Sequence, residues 1–125
     1  MDNTSLAAVT IPLSARIIDA AQAIRQSRHR CVIAMADDRV VGVLSEGDIL
    51  RALLHGSDVH GPIADWVSHG FKFLRSSDWK AALALMQKHG ITLVPIVDNN
   101  FRPTGIITLM DVLNRCTLRE EADPE

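Results

Sequence analysis

A chain of 125 residues is long enough to bury one core and too short to join an enzyme domain to a regulatory one. With 47% hydrophobic and 22% charged residues it has the composition of an ordered globular protein. Its 13 Lys+Arg against 15 Asp+Glu, a net charge of -2, leave no basic footprint for nucleic acid or an anionic membrane.

The longest apolar runs, CVIAMA and LAAV, fall far short of a membrane span, and MDNTSLAA lacks the basic start of a secretory signal, so a cytoplasmic location is expected. From Ser14, SARIIDAAQAIRQSRH places Ile17, Ala20, Ala21 and Ile24 on one face. The expectation is an amphipathic helix with Ser14 as N-cap and the cations of RQSRHR complementing the dipole at its end. CVIAMA (31–36) and VVGVLS (40–45) read as a hairpin around Asp37–Asp38, and EGDILRALLHG as a second helix. The connector SDVHGPIADWVSHGFKFLR carries a break at Gly61–Pro62, a helical turn at IADWV and a short strand at FKFL.

The same order then returns. SSDWKAALALMQKHG (76–90) is a helix closed by Gly90, ITLVPIV (91–97) and TGIIT are strands, and LMDVLNRCTLREE is a helix running into an acidic tail. The repeat is visible in the letters: Gly42 with Gly105, Ser45 with Thr108, Asp48 with Asp111 and Leu50 with Leu113 all stand 63 positions apart. Upstream, AAQAI (20–24) aligns with AALAL (81–85) at an offset of 61, so two extra residues are expected in the second hairpin loop.

VIAMAD followed by GVLSEGD, and LVPIVD followed by GIITLMD, resemble a tandem pair of cystathionine-β-synthase (CBS) domains, and the likeness covers about residues 8–118. The stretch SEGDILRALLHGSDVHGPIADWV is further similar to CBS pairs attached to sugar-phosphate nucleotidyltransferases and isomerases, whose catalytic portions have no counterpart here. The resemblance implies an α/β (α+β) fold of two helix-strand-strand-helix repeats, packed by their sheets with pseudo-twofold symmetry. Repeat 1 would span 1–61, the linker and repeat 2 62–119, and the tail 120–125. It also implies a non-catalytic regulatory module without a cofactor. Such a module senses an adenine nucleotide (AMP, ADP, ATP or S-adenosylmethionine) between the repeats, associates as a disc-like homodimer and is read by a partner enzyme or transporter.

Two readings of the repeated phrase stand side by side. Ser45-x-x-Asp48 and Thr108-x-x-Asp111 have capping-box spacing, a role contributing about 0.5–2 kcal/mol at each helix start. The same geometry puts N–H groups, the positive end of a helix dipole and a hydroxyl where phosphate could sit, with a carboxylate able to accept from two ribose hydroxyls. What the resemblance implies is ribose at Asp48 and Asp111, phosphate at Ser45 and Thr108, and adenine framed by Val32, Ile33, Ala34 and by Val94, Pro95, Ile96.

The copies differ. Ala34 aligns with Pro95, and Glu46–Gly47 with Leu109–Met110, so Met110 is expected to face a base or a subunit and Glu46 to repel a nearby polyphosphate. Arg51, Arg75 or Arg102 could meet phosphate, with Arg28 and Arg30 as secondary choices. The five histidines lack ligand spacing, and Cys31 and Cys116 read as reduced thiols. Trp66 and Trp79 are core anchors or interface residues. A ligand-free dimerisation module, or the regulatory part of a sugar-phosphate nucleotidyltransferase, is the competing function.

Overall fold

The computed structural model describes residues 6–122, and the side chains of 6–116. Two short elements precede the first expected helix, α1 (Leu6–Val9) and β1 (Thr10–Pro12). Three residues are too few to show a period. β1 is a strand because Thr10, Ile11 and Pro12 run parallel to Ile33, Ala34 and Met35. The first repeat therefore has one strand more than the helix-strand-strand-helix order expected for it.

α2 (Ile17–Ser27) is capped by Arg16, not Ser14. Residues 12–15 are used in a turn closed by the Ala15 N–H on the Pro12 carbonyl at 2.9 Å. The Asp19 carboxylate then reaches back to the Arg16 N–H at 3.0 Å and takes its guanidinium as well. β2 (Cys31–Ala36) and β3 (Arg39–Ser45) form the expected antiparallel hairpin and lead into α3 (Glu46–Leu54). Past α3, Ile63–Val67 make a helical turn, and Ser68 exchanges two main-chain hydrogen bonds with Val43. FKFL is not a strand; only Leu74 bridges, in parallel, to Ile96. α4 (Trp79–His89) starts on Asp78, whose carboxylate accepts from the N–H groups of Lys80 and Ala81, and ends on Gly90 in the left-handed region. β4 (Leu93–Val97), β5 (Pro103–Thr108) and α5 (Leu109–Ala122) complete the second repeat.

The structure corrects the register of the repeat. Arg28 (φ 65°) and Gly90 (φ 66°) close α2 and α4 in the same left-handed conformation and stand 62 positions apart. The second hairpin thus holds one extra residue, not two. Ile33, opposite Val43, stands where Pro95 lies opposite Ile106, so Ala34 is not the counterpart of Pro95. Alanine-rich helices align nearly as well one residue out of step; caps and strand pairing discriminate.

The sheets, β1-β2-β3 and β4-β5, each carry helices on one face and meet through the other. Along β2, Val32 and Ala34 join Ile17, Ala20 and Ile24 of α2 in the core of repeat 1, while Cys31 and Ile33 join Leu93 and Val97 in the core between the sheets. Burial on both faces explains why β2 and β4 read as unbroken apolar runs. Trp66 and Trp79 are half-buried anchors at the margins of the two repeat cores. Burial, reinforced by Asp48 and Glu46, pushes the Cys31 thiol up to about 11, so it stays an inert core residue.

The loop carrying the extra residue is clamped by Asp98, whose carboxylate accepts from the N–H groups of Asn100 at 2.8 Å and Arg102 at 2.9 Å. These bonds, that of Arg102 first, hold Asp98 below the usual carboxylate range. A depressed folded value means that the clamp stabilises above the unfolded carboxylate value and is lost as pH falls through the folded one. On acidification the Asn100 and Arg102 amide resonances are expected to shift together, with a midpoint below that of an ordinary aspartate. A midpoint at the ordinary value would contradict the clamp.

Candidate functional site

Each copy of the repeated phrase is a strand end feeding a helix start. In the first, the Ser45 N–H and hydroxyl donate to Asp48 Oδ2 at 2.9 and 3.0 Å, and the Asp48 N–H returns to Ser45 Oγ at 3.1 Å. In the second, the Thr108 N–H donates to Asp111 Oδ2 at 2.8 Å and the Asp111 N–H to Thr108 Oγ1 at 3.1 Å. Both are capping boxes. The first helical N–H is also taken, that of Glu46 by the Arg30 carbonyl at 3.0 Å and that of Leu109 by the Thr92 carbonyl at 2.8 Å. Two of the donors at each helix start are thus already used, which narrows what a phosphate could meet there.

The copies part at the outer carboxylate oxygen. Arg51 Nη1 donates to Asp48 Oδ1 at 2.9 Å, while its guanidinium lies 5.7 Å from the Trp66 ring centre. Asp111 Oδ1 has no partner among the described residues. Arg51 is one of the three arginines expected to meet phosphate, and its carboxylate partner was legible only as an i,i+3 spacing. Arg75, another of the three, donates to the Asp98 carbonyl and lies over Phe73 and Phe101.

The residues expected to frame a base are inside. Val32, Ile33, Ala34, Val94 and Pro95 are fully buried and Ile96 is 5% exposed, so a ligand at these positions would meet main chain rather than side chains. Met110 is 60% exposed at the start of α5.

Sequence reasoning did not foresee a cavity of about 510 Å³ where the end of α2 faces the start of α3. Its wall carries Arg25, Arg28, His29 and Arg30 from the end of α2 and the residues that follow it, with Glu46 from the start of α3.

The sequence model of the CBS domain matches residues 5–55 and 71–117, one match to each repeat. This chain belongs to the CBS domain family. A solved structure of the CBS domain protein PAE2072 from Pyrobaculum aerophilum, complexed with AMP, is 30% identical, covers 91% of this CBS pair and 90% of its own chain, and superposes with a TM-score of 0.75. ATU1752 of Agrobacterium tumefaciens, a CBS-domain-containing protein 20% identical, shares the fold with a TM-score of 0.72 over 86% of this chain and 88% of its own. Arabinose 5-phosphate isomerase GutQ of Escherichia coli strain CFT073 is 31% identical over 103 residues, 81% of this chain. The CBS pair spans about a third, 32%, of that isomerase's length. Among the described residues no helix is long and apolar enough to cross a membrane.

Proposed function

We propose that this CBS pair is a regulatory module that senses an adenine nucleotide, with repeat 2 as the readier site. The observation that carries the reading is Asp111 Oδ1, which has no partner among the described residues. Its partner oxygen holds the helix cap, so the carboxylate can keep the cap and still accept from a ribose hydroxyl. Asp48 must first give up Arg51 to do the same. The AMP complex of the 30% identical relative supports adenine as the base.

Sensing requires that ligand favour one arrangement of the repeats over another. The core between the sheets is the element such a ligand would bias, and a partner enzyme or transporter would read the change. Association of two chains fits the exposed apolar residues on α3 (Leu50, Leu53, Leu54) and α5 (Met110, Leu113).

Calorimetric titration of AMP, ADP, ATP and S-adenosylmethionine into the chain tests the reading, with Asp111→Asn and Asp48→Asn alongside. The tighter site is expected to lose at least about tenfold in affinity in Asp111→Asn, a loss of about 1.4 kcal/mol. Asparagine keeps an acceptor for the Thr108 N–H, so stability should change by less than about 1 kcal/mol. A ligand-free dimerisation module, favoured by the complete caps on both helices, predicts no heat with any nucleotide and a stability change alone.

A further inference from the structure

The second helix of each repeat carries an arginine that lies over a tryptophan, and the two arginines differ by one position. Arg51 of α3 stands three residues after Asp48, its guanidinium 5.7 Å from the Trp66 ring centre. Arg115 of α5 stands four residues after Asp111, 5.9 Å from the ring centre of Trp79. In the register of the caps the counterpart of Arg51 is the exposed Asn114. One residue along a helix is about 100° of rotation. Arg51 therefore reaches its carboxylate, whereas among the described residues no ion pair joins Arg115 to Asp111.

Three observations set the Asp48–Arg51 pair apart from an ordinary surface pair at i,i+3, which contributes little. The Asp48 side chain is only 16% exposed, so the pair is partly withdrawn from water. Asp48 Oδ2 is spent on the cap, accepting from the Ser45 N–H and hydroxyl, so Arg51 holds the one carboxylate oxygen left for a ribose hydroxyl. Arg51 is itself held in place. His55 Nδ1 donates to the Arg51 carbonyl at 2.8 Å and sets its ring 5.8 Å from that of Trp66. Trp66 in turn is fixed by its N–H on the Ile63 carbonyl at 2.8 Å, in the turn that leads to the Ser68–Val43 pair.

We propose that Arg51 is an autoinhibitory latch on repeat 1: it lies across Asp48 Oδ1, and the ribose of a nucleotide enters only when it leaves. Arg51 is thereby the residue that makes the two sites unequal. The inference deepens the nucleotide reading and rests on it for the ligand. A site that is competent only about a tenth of the time binds about tenfold more weakly than the open site. With the latch open, Asp48 keeps its cap through Oδ2 and offers Oδ1, the arrangement in which Asp111 already stands.

The test is calorimetric titration of AMP into two pairs of chains, each pair with one site weakened. In an Asp111→Asn background, adding Arg51→Ala is expected to tighten AMP binding at repeat 1 about tenfold. In an Asp48→Asn background, adding Asn114→Arg is expected to weaken binding at repeat 2 about tenfold, because an arginine then stands three residues after Asp111 as Arg51 does after Asp48. Arg51 and Asn114 are both exposed on their helices, and thermal unfolding checks that each chain is folded. Truncating a residue that served only structure would lower affinity or leave it alone, whereas removing a latch raises it. Unchanged or weaker AMP binding on adding Arg51→Ala, or unchanged binding on adding Asn114→Arg, would overturn the latch. AMP still bound by the Asp48→Asn chain would in that case uphold the nucleotide reading. No AMP bound by the wild type or by any variant would overturn both.

Discussion

Gly42→Ala is expected to destabilise the chain by about 3 kcal/mol, and Gly105→Ala by less than about 1 kcal/mol, although the two glycines occupy the same place in the repeated phrase. A Cβ on Gly42 would run into Val67 Cγ1 and lie 2.6 Å from the Ser68 carbonyl oxygen. That oxygen accepts from the Val43 N–H and the Ser68 N–H returns the bond, so the linker cannot withdraw without losing both. A Cβ on Gly105 meets only Ile96 Cδ1, at an ordinary 3.6 Å. Urea unfolding of the two variants decides the matter: a lower midpoint for Gly42→Ala at unchanged slope supports the close approach. Equal midpoints would mean that the linker does not press on β3. Proximity of linker and strand, not turn geometry, is what requires glycine at position 42.

The second large effect is expected at Ile33. Its side chain is fully buried between the sheets with Val9, Val40, Leu93 and Val97. Truncation to alanine removes that apolar burial and leaves a cavity where the two repeats meet, costing about 3–4 kcal/mol. Gln22→Ala, at an exposed residue of α2, should change stability by less than about 0.5 kcal/mol and serves as the control. Denaturant unfolding measures both. Nucleotide affinity, taken where the variant is still folded, is expected to change little, because Ile33 offers a ligand only its main chain. A large affinity loss with near-native stability would instead place the Ile33 side chain against the ligand. The expectation that Val32, Ile33 and Ala34 line a base is thereby divided into a main-chain part and a packing part that the two measurements separate.

Much of the architecture was legible because it is written in local periods and caps. CVIAMA is β2 residue for residue, and Gly90 ends α4 as its place after KH suggested. Both hydroxyl–acid pairs close their helices at the spacing that a capping box demands. Weak local signals leave an element's start open. Ser14 looked like a cap, but the chain turns over residues 12–15 before the helix begins, and Arg16 with Asp19 does the work. β1 has no signal of its own; pairing with β2 creates it. The repeat register was one residue out because small, similar side chains hardly discriminate neighbouring alignments. Left-handed helix ends and cross-strand partners do.

The sequence by itself determined the twofold repeat, the type of nearly every element and the two caps, since each depends on residues within a few positions of one another. Only the tertiary structure decided which copies of a shared residue are equivalent. Gly42 is pressed by a linker and Gly105 is not, and Asp48 is held by Arg51 while Asp111 Oδ1 has no partner among the described residues. The physical reason is that hydrogen-bond periods and helix caps act over one turn. Burial, close approach and uncompensated charge depend on what the rest of the chain brings alongside.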